Sequence, residues 1–301
     1  MKSLLQAFFS GNYWKFTVLT SKTVNFSLSR IGALWLLLTV ARFFLDIPDD
    51  QVKTHWSCFV AVIAVLTLWE RRPVISVSER LVGRDIELEI KVGDLFKEDG
   101  AKVISINTTF DTDIDNGLIA ESSLQGQFTR KNYDSVQTFD KELEHQLRNL
   151  TITEEAYAKK RGKKNRYEIG TVVQVRPKNQ LFYLLAIADL NDEGVAYSSF
   201  ENIQISLRKF WKYVAECGEA EPIVIPLIGS GRARISVKRD VIAREIIHSF
   251  VESCASKKCC EKFTLMISSD DYRKHDLNLY ELGEYLHYVC QYTNLEKVKQ
   301  P

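Results

Sequence analysis

The sequence predicts a three-layer α/β domain behind a pair of apolar helices. From about residue 80 onward, segments rich in β-branched residues recur between segments of helical periodicity. Two long apolar runs stand near the N-terminus, and several loops that leave predicted strands carry glycine, aspartate and asparagine. A chain of 301 residues has room for one large or two small domains with a sizeable core. Its composition, 45% hydrophobic and 26% charged, is that of a globular protein without low-complexity tracts. A formal charge of +1 gives no global field for a polyanion, so nucleic acid is not an expected partner.

Residues 1–29 mix aromatics with Lys2, Lys15 and Lys22 and lack the layout of a cleaved secretory signal. The runs "IGALWLLLTVARFFL" (31–45) and "WSCFVAVIAVLTLW" (56–69) have no polar face, unlike the amphipathic helix of a soluble surface. The connector "DIPDDQVKTH" carries a helix-stopping proline and three aspartates, which predicts a hairpin of helices at about 30–46 and 55–70. Both runs fall short of the ~20 residues of a full span, and snorkelling or bilayer thinning would cover the difference. Arg42 lies near the end of its run, within reach of headgroups. Lys15, Lys22 and Arg30 before the first run, and Arg71 and Arg72 after the second, place both chain ends in the cytoplasm by the positive-inside rule. Trp35, Trp56 and Trp69 also lie in these runs, the latter two at an edge where aromatic belts form. A buried helical hairpin in a soluble core is the competing reading.

After Arg72–Pro73 the pattern changes. "RDIELEIKV" alternates apolar and charged residues at the period of a half-buried strand. "AKVISIN" (101–107), "GTVVQVRP" (170–177), "LFYLLAIA" (181–188), "EPIVIPL" (221–227) and "KFTLMIS" (262–268) are further strand candidates. Helical stretches are expected at about 134–149, 199–217, 236–256 and 279–295; in the third, Ile242, Ile246 and Phe250 recur every fourth residue. The α/β domain is placed over 80–301.

Ligands of open α/β sheets sit beyond the carboxyl ends of the strands. Three loops there carry suggestive residues: "GDLF" (93–96), "NTTFDTDIDNGLIA" (107–120) and "PLIGSGRARIS" (226–236). Gly229 and Gly231 allow close approach of backbone to an anion, backbone N–H groups entering a helix near Ser236 favour negative charge, and Arg232 or Arg234 supplies positive charge. On its own this loop reads as an ordinary glycine turn sooner than as a phosphate cradle; it is neither a Walker loop nor a GxGxxG fingerprint. The basic run "KKRGKKNR" (159–166) reads as a flexible solvated loop, or as an attractor of anionic lipid or ligand. His248, Cys254, Cys259 and Cys260 are poorly spaced for tetrahedral zinc, so no metal is expected, and the cysteines read as thiols of a reducing compartment.

In order and spacing, GDLF, VISIN, a glycine-containing loop and PLIGSG resemble the macro domain, over about 85–270. The resemblance implies a macro-like α/β/α fold with a mixed sheet and a cleft for ADP-ribose and related adenine dinucleotide derivatives. It implies that Asp94 accepts from the adenine amino group, with Leu95 beside it. Gly117 and Leu118 would line the loop beside the distal ribose, and Asp115 and Asn116 would meet a ribose or a cationic ligand group. Ile228, Gly229, Ser230 and Gly231 would wrap the diphosphate, and Asn107, Thr108, Leu227, Arg232 and Ala233 would belong to the same ligand site. Hydrolytic macro domains usually carry Asn-Ala-Ala-Asn followed by consecutive glycines. Here Asn107-Thr108-Thr109-Phe110 precedes Asp111, Asp113, Asp115 and a single Gly117. Asp113 or Asp115 is a conceivable base, but nothing positions a water, so a binder is expected over an ADP-ribosyl hydrolase and no catalytic residue is assigned. With the membrane hairpin added, nearly the whole chain is similar to the transmembrane–macro effectors of type II Thoeris anti-phage systems. That resemblance implies a bacterial inner-membrane protein with both ends cytoplasmic and a nucleotide signal made by a partner TIR-domain enzyme. It further implies disruption of membrane lipid by a homo-oligomer, since two helices enclose no pore alone.

Overall fold

The computed structural model describes residue 14 and residues 21–45, 54–70, 72, 74–156, 158–229, 235–256, 259–274 and 277–293. Contacts divide the chain into two units, Met1–Ile75 and Ser76–Pro301.

The first unit contains helices α1 (Ser21–Leu45) and α2 (Trp56–Glu70). Residues 21–30 include no proline or glycine to stop a helix, so α1 begins well before the apolar run and reaches 25 residues. At ~1.5 Å per residue that is ~37 Å, enough to cross a ~30 Å hydrocarbon core. The 15 residues of α2 rise only ~22 Å. Thus one helix among the described residues is long and apolar enough to cross a membrane. The predicted connector falls mostly on 46–53, outside the described residues. The helices touch through Ser27 and Thr67 (3.3 Å between hydroxyls), an Arg30–Glu70 ion pair at 2.6 Å and an edge-on Trp35–Phe59 contact with centroids 6.2 Å apart. Away from this seam Leu36, Leu37, Val40, Phe43 and Phe44 of α1, and Val60, Val62 and Val65 of α2, are exposed.

The second unit is built on an eight-stranded mixed sheet. Its strands are β1 (Ser76–Arg80), β2 (Glu87–Val92), β3 (Ala101–Asn107), β6 (Val172–Val175), β7 (Phe182–Leu190), β8 (Ala196–Tyr197), β9 (Ile223–Pro226) and β10 (Lys262–Ile267). The order is β1-β2-β10-β9-β3-β7-β6, with β8 also on β7. Neighbours from β2 through β7 are parallel, whereas β1, β6 and β8 join antiparallel. A separate ribbon pairs β4 (Glu154–Glu155) with β5 (Asn165–Arg166).

Alternation along the strands divides the core between two faces. On one, Phe182, Leu184 and Ala186 of β7 join Ile104 and Ile106 of β3, and Val173 and Val175 of β6. They are covered by Phe128 of α3 (Leu124–Asn132) and by Phe139, Leu143 and Leu147 of α4 (Val136–Leu147). On the other, Tyr183 meets Phe210 of α5 (Phe200–Cys217) edge-on at 5.5 Å. There Phe250 of α6 (Arg239–Ser256) stacks on Phe263 of β10 at 4.4 Å, with Trp211 beside both. The C-terminal part adds α7 (Ser269–Lys274) and α8 (Leu279–Tyr292), the latter packing on α6 and β1. This is the three-layer macro-like arrangement that the resemblance implies.

Side-chain caps set the helix starts: Ser123, Ser135 and Ser199 accept from the N–H of Gly126, Thr138 and Asn202 at 3.0, 3.2 and 3.0 Å. The periodicity reads α5, α6 and α8 to within a few residues but leaves α3 unassigned, because LQGQFTRKN is polar and holds a glycine. The short strands β1, β4, β5 and β8 were likewise too brief to show a period.

Burial pushes Tyr133, Tyr167, Tyr183, Tyr213, Tyr272 and Tyr285 above the ordinary tyrosine range. Above pH ~10 the unfolded chain therefore sheds protons that the native state keeps, and stability falls as pH rises. Urea unfolding should show a constant contribution below pH ~10 and a steady loss above it, with delayed tyrosinate absorbance in the native protein. Phe250→Ala, which empties the stacked position on Phe263, should cost about 3–5 kcal/mol in the same assay.

Candidate functional site

Because β2, β10, β9, β3 and β7 run parallel, their carboxyl ends lie on one edge of the sheet. The three loops singled out in the sequence leave β2, β3 and β9, and β9 lies between β10 and β3. Tertiary structure therefore brings these loops to the same edge.

After β2, the Gly93 N–H donates to Ile267 O at 2.9 Å, tying the loop to β10. Asp94 is exposed and caps the 3₁₀ turn Leu95–Lys97, its Oδ1 accepting from Phe96 N at 3.0 Å. The turn holds the carboxylate at the edge, while Leu95 is buried in the core.

The loop after β3 is the most heavily bonded. A register shift between Ile106 and Asn107 marks its start. Asn107 is buried, and its Oδ1 accepts from Thr109 N (3.1 Å), Thr109 Oγ1 (2.9 Å) and Asp111 N (3.2 Å). This Asx-type turn commits the amide oxygen to the loop itself. Thr108 is also buried; its N–H donates to Ala188 O at 2.8 Å and its hydroxyl to Asp189 Oδ1 at the end of β7. Phe110 takes the left-handed φ of 50° and turns into the core against Tyr167. Beyond it, Asp113 accepts from Asn116 N and Nδ2, both at 3.0 Å, and Asp115 pairs with Arg130 at 2.9 Å. Both carboxylates considered as bases are thus engaged by neighbours. Gly117, at φ 77°, stands in open space, and Asp115, Asn116 and Gly117 are exposed above the buried Leu118.

After β9, Leu227 donates to Met266 O at 3.0 Å, and Leu227 and Ile228 are buried. Gly229 has φ 71°, a left-handed conformation that calls for glycine, and an added Cβ would press on the side-chain ends of Ile235 and Ile203, 2.6 and 2.8 Å away. Its carbonyl accepts from Arg239 Nη1 at 3.1 Å, and Arg239 also faces Asp271 at 4.0 Å. Ser230, Gly231, Arg232 and Ala233, with Arg234, lie outside the described residues.

The basic run is corrected by the structure. Lys159 is 1% exposed and pairs with the equally buried Asp111 at 2.5 Å, so it is not part of a solvated loop. Arg161 donates to Asn116 O, Lys163 pairs with Asp140 at 2.6 Å, and Arg166 faces Asp189 at 3.9 Å. Lys159 and Arg161 thus close against the loop after β3, whereas Lys163 and Arg166 turn to α4 and β7. Burial pulls the Lys159 ammonium below its ordinary range, opposed by the hydrogen bond and charge of Asp111. No local pattern in the sequence distinguishes Lys159 from its neighbours; only its distant partner does. Asp189 and Arg239 were missed for the same reason.

Among the described residues no group of three or more His, Cys, Asp or Glu is placed to hold a metal ion. Cys254, Cys259, Cys260 and Cys290 are buried, and burial pushes the Cys290 thiol up to about 12.

Residues 88–268 match the family described as "Thoeris protein ThsA, Macro domain". The Thoeris protein ThsA of Bacillus amyloliquefaciens (strain Y2) is 29% identical over 208 residues, covering 66% of this chain and 67% of that protein. Among solved structures, the Oceanobacillus iheyensis macrodomain with ADP shows 14% identity and a TM-score of 0.49, covering 70% of this chain and 96% of that one. The same macrodomain with MES bound shows 14% identity and a TM-score of 0.45, covering 71% and 96%.

Thr108→Val keeps the shape of the residue but leaves the Asp189 oxygen without its hydroxyl donor. Chemical denaturation should register a loss of about 1–3 kcal/mol.

Proposed function

This chain belongs to the ThsA macro-domain family of Thoeris proteins, and from that membership we propose that its macro domain is the receptor for an ADP-ribose-type adenine dinucleotide signal. The observation that carries the reading is the convergence of three unlike loops on one sheet edge. The β2 loop presents the exposed Asp94 carboxylate, an acceptor suited to an amino donor. The β3 loop presents Asp115, Asn116 and Gly117, whose polar groups suit a ribose. The β9 loop passes from Leu227 and Ile228 into a left-handed Gly229, the conformation that lets backbone N–H groups approach a diphosphate. Leu95, Asn107, Thr108, Leu118, Leu227 and Ile228 would shape this site from beneath. Ser230, Gly231, Arg232 and Ala233 would complete the diphosphate contact.

In this reading the signal comes from a partner TIR-domain enzyme, and the protein is a non-enzymatic effector of anti-phage defence. Its first helix crosses the bacterial inner membrane; the second returns, with bilayer thinning covering its short length and both chain ends cytoplasmic. The Ser27–Thr67 and Trp35–Phe59 contacts support an antiparallel pair. Several copies would act together on the lipid, and the signal would favour the disruptive assembly by binding it more tightly than the resting one.

Calorimetry on the full-length protein in detergent, with ADP-ribose as probe, tests the receptor. Asp94→Ser keeps a cap acceptor for Phe96 N but removes the carboxylate, and should weaken ADP-ribose at least about tenfold, the discrimination of one charge-assisted contact. Chromatography of the same mixtures should recover the probe intact. Liposomes carrying the protein should leak only when a dinucleotide is added. Absence of heat from the parent protein would overturn the receptor, and turnover of ADP-ribosylated substrate would replace it with a membrane-tethered hydrolase.

A further inference from the structure

Three segments distant in sequence meet below the exposed turn Asp115–Gly117. Asp111 sits at the centre, 1% exposed at its side chain. One carboxylate oxygen faces Lys159 Nζ at 2.5 Å, and the other accepts from Lys163 N at 2.6 Å. Its backbone carbonyl accepts from Gln125 Nε2 at 2.5 Å, which ties the loop to α3. Lys159 also donates to Thr109 Oγ1 at 2.7 Å and to Lys163 O at 2.9 Å. The ammonium is therefore surrounded by three acceptors, and the turn 159–163 closes on itself around it.

The outer part of the clamp is equally specific. Arg161 donates to Asn116 O, reaching the exposed turn directly. Lys160 N donates to Asp192 O at 3.1 Å, joining the loop after β7. Gly162 has φ 81°, and a Cβ there would collide with Asp111 Oδ1 and come 2.6 Å from Leu118 Cδ2. A Cβ on Gly194 would lie 2.7 Å from Leu118 Cδ1, so Leu118 is enclosed from two sides.

A buried ion pair is a costly way to fill a core, because each charge gives up its hydration. Its compensation is direction: a charged hydrogen-bond network admits one arrangement where apolar side chains admit several. Resting on the receptor reading, we propose that Lys159 and Asp111 are a positioning pair that sets the shape of the β3 loop and thereby the fit of the nucleotide ligand. The basic run then acts on the ligand site from beneath, through loop geometry.

The test separates position from stability in the full-length protein in detergent. Lys159→Met strands a buried carboxylate and should lower the melting temperature. Lys159→Met combined with Asp111→Leu removes both charges and should recover most of that loss. Hydrogen exchange of the double variant should nevertheless be at least tenfold faster at the amides of residues 108–118, with the strand amides of β7 and β10 unchanged. Its ADP-ribose affinity should fall at least tenfold. Gly162→Ala disturbs the same contacts without removing a charge and should produce the same local pattern of exchange. It provides the measurement should the double variant not fold. Parental exchange in the loop of either folded variant overturns the proposal, leaving the pair as core filling only. Parental affinity alongside faster exchange overturns its ligand half. If parent protein fails to bind ADP-ribose, the receptor reading falls and takes the ligand half with it, while the exchange data still decide whether the pair positions the loop.

Discussion

The parallel alignment of β2, β10, β9, β3 and β7 is the constraint from which the rest of the domain follows. Parallel strands need crossover connections, and those crossovers place helices over both faces. The strands must then be apolar on both sides, which is why all but one of the residues of β7 are buried. The same alignment directs the carboxyl ends of these five strands to one edge, where loops freed from core packing can differ in chemistry. Asp94, the Asp115–Gly117 turn and Gly229 share that edge for this reason, although 135 residues of sequence separate the first from the last.

The β3 loop departs from the usual rule that loops are lightly held. Its backbone N–H groups at Thr109 and Asp111 are satisfied by its own Asn107 side chain, and its Asp111 carboxylate by the loop that follows α4, through Lys159 and Lys163. Burying Asp111 and Lys159 together is tolerable only because each finds several partners; either alone would be strongly destabilising. The loop gains a single well-determined shape, and its outermost residues remain available to solvent.

The N-terminal unit obeys different physics. Its helices expose leucine, valine and phenylalanine over broad surfaces, an arrangement that water penalises and hydrocarbon does not. Their polar contacts, Ser27 with Thr67 and Arg30 with Glu70, cluster toward the start of α1 and the end of α2. Between apolar helices in lipid, such contacts are what can select a partner face, because hydrophobicity discriminates little there.

Much of this protein was legible in its sequence. Hydrophobic periodicity located α5, α6 and α8, because these helices bury a regular face and the period records it, whereas β3 and β10, buried on both faces, were legible as short runs rich in β-formers. The apolar runs marked α1 and α2 by continuous hydrophobicity without a period, though only the helix itself revealed that α1 begins at Ser21. Glycines and acidic residues after strands marked the loops, since special backbone conformations and caps demand those residue types. Periodicity could not reach α3, whose polar stretch is held by a cap and by Phe128 rather than by a repeating stripe. Nor could it separate the buried Lys159 from the other lysines of its run, or the committed Asp111 from Asp113 and Asp115. Residue type and local order determined which elements form and where the loops fall. Which charges are buried, and which loop each one holds, was decided only by tertiary structure, because an ion pair is defined by a partner and the partner here is 48 residues away.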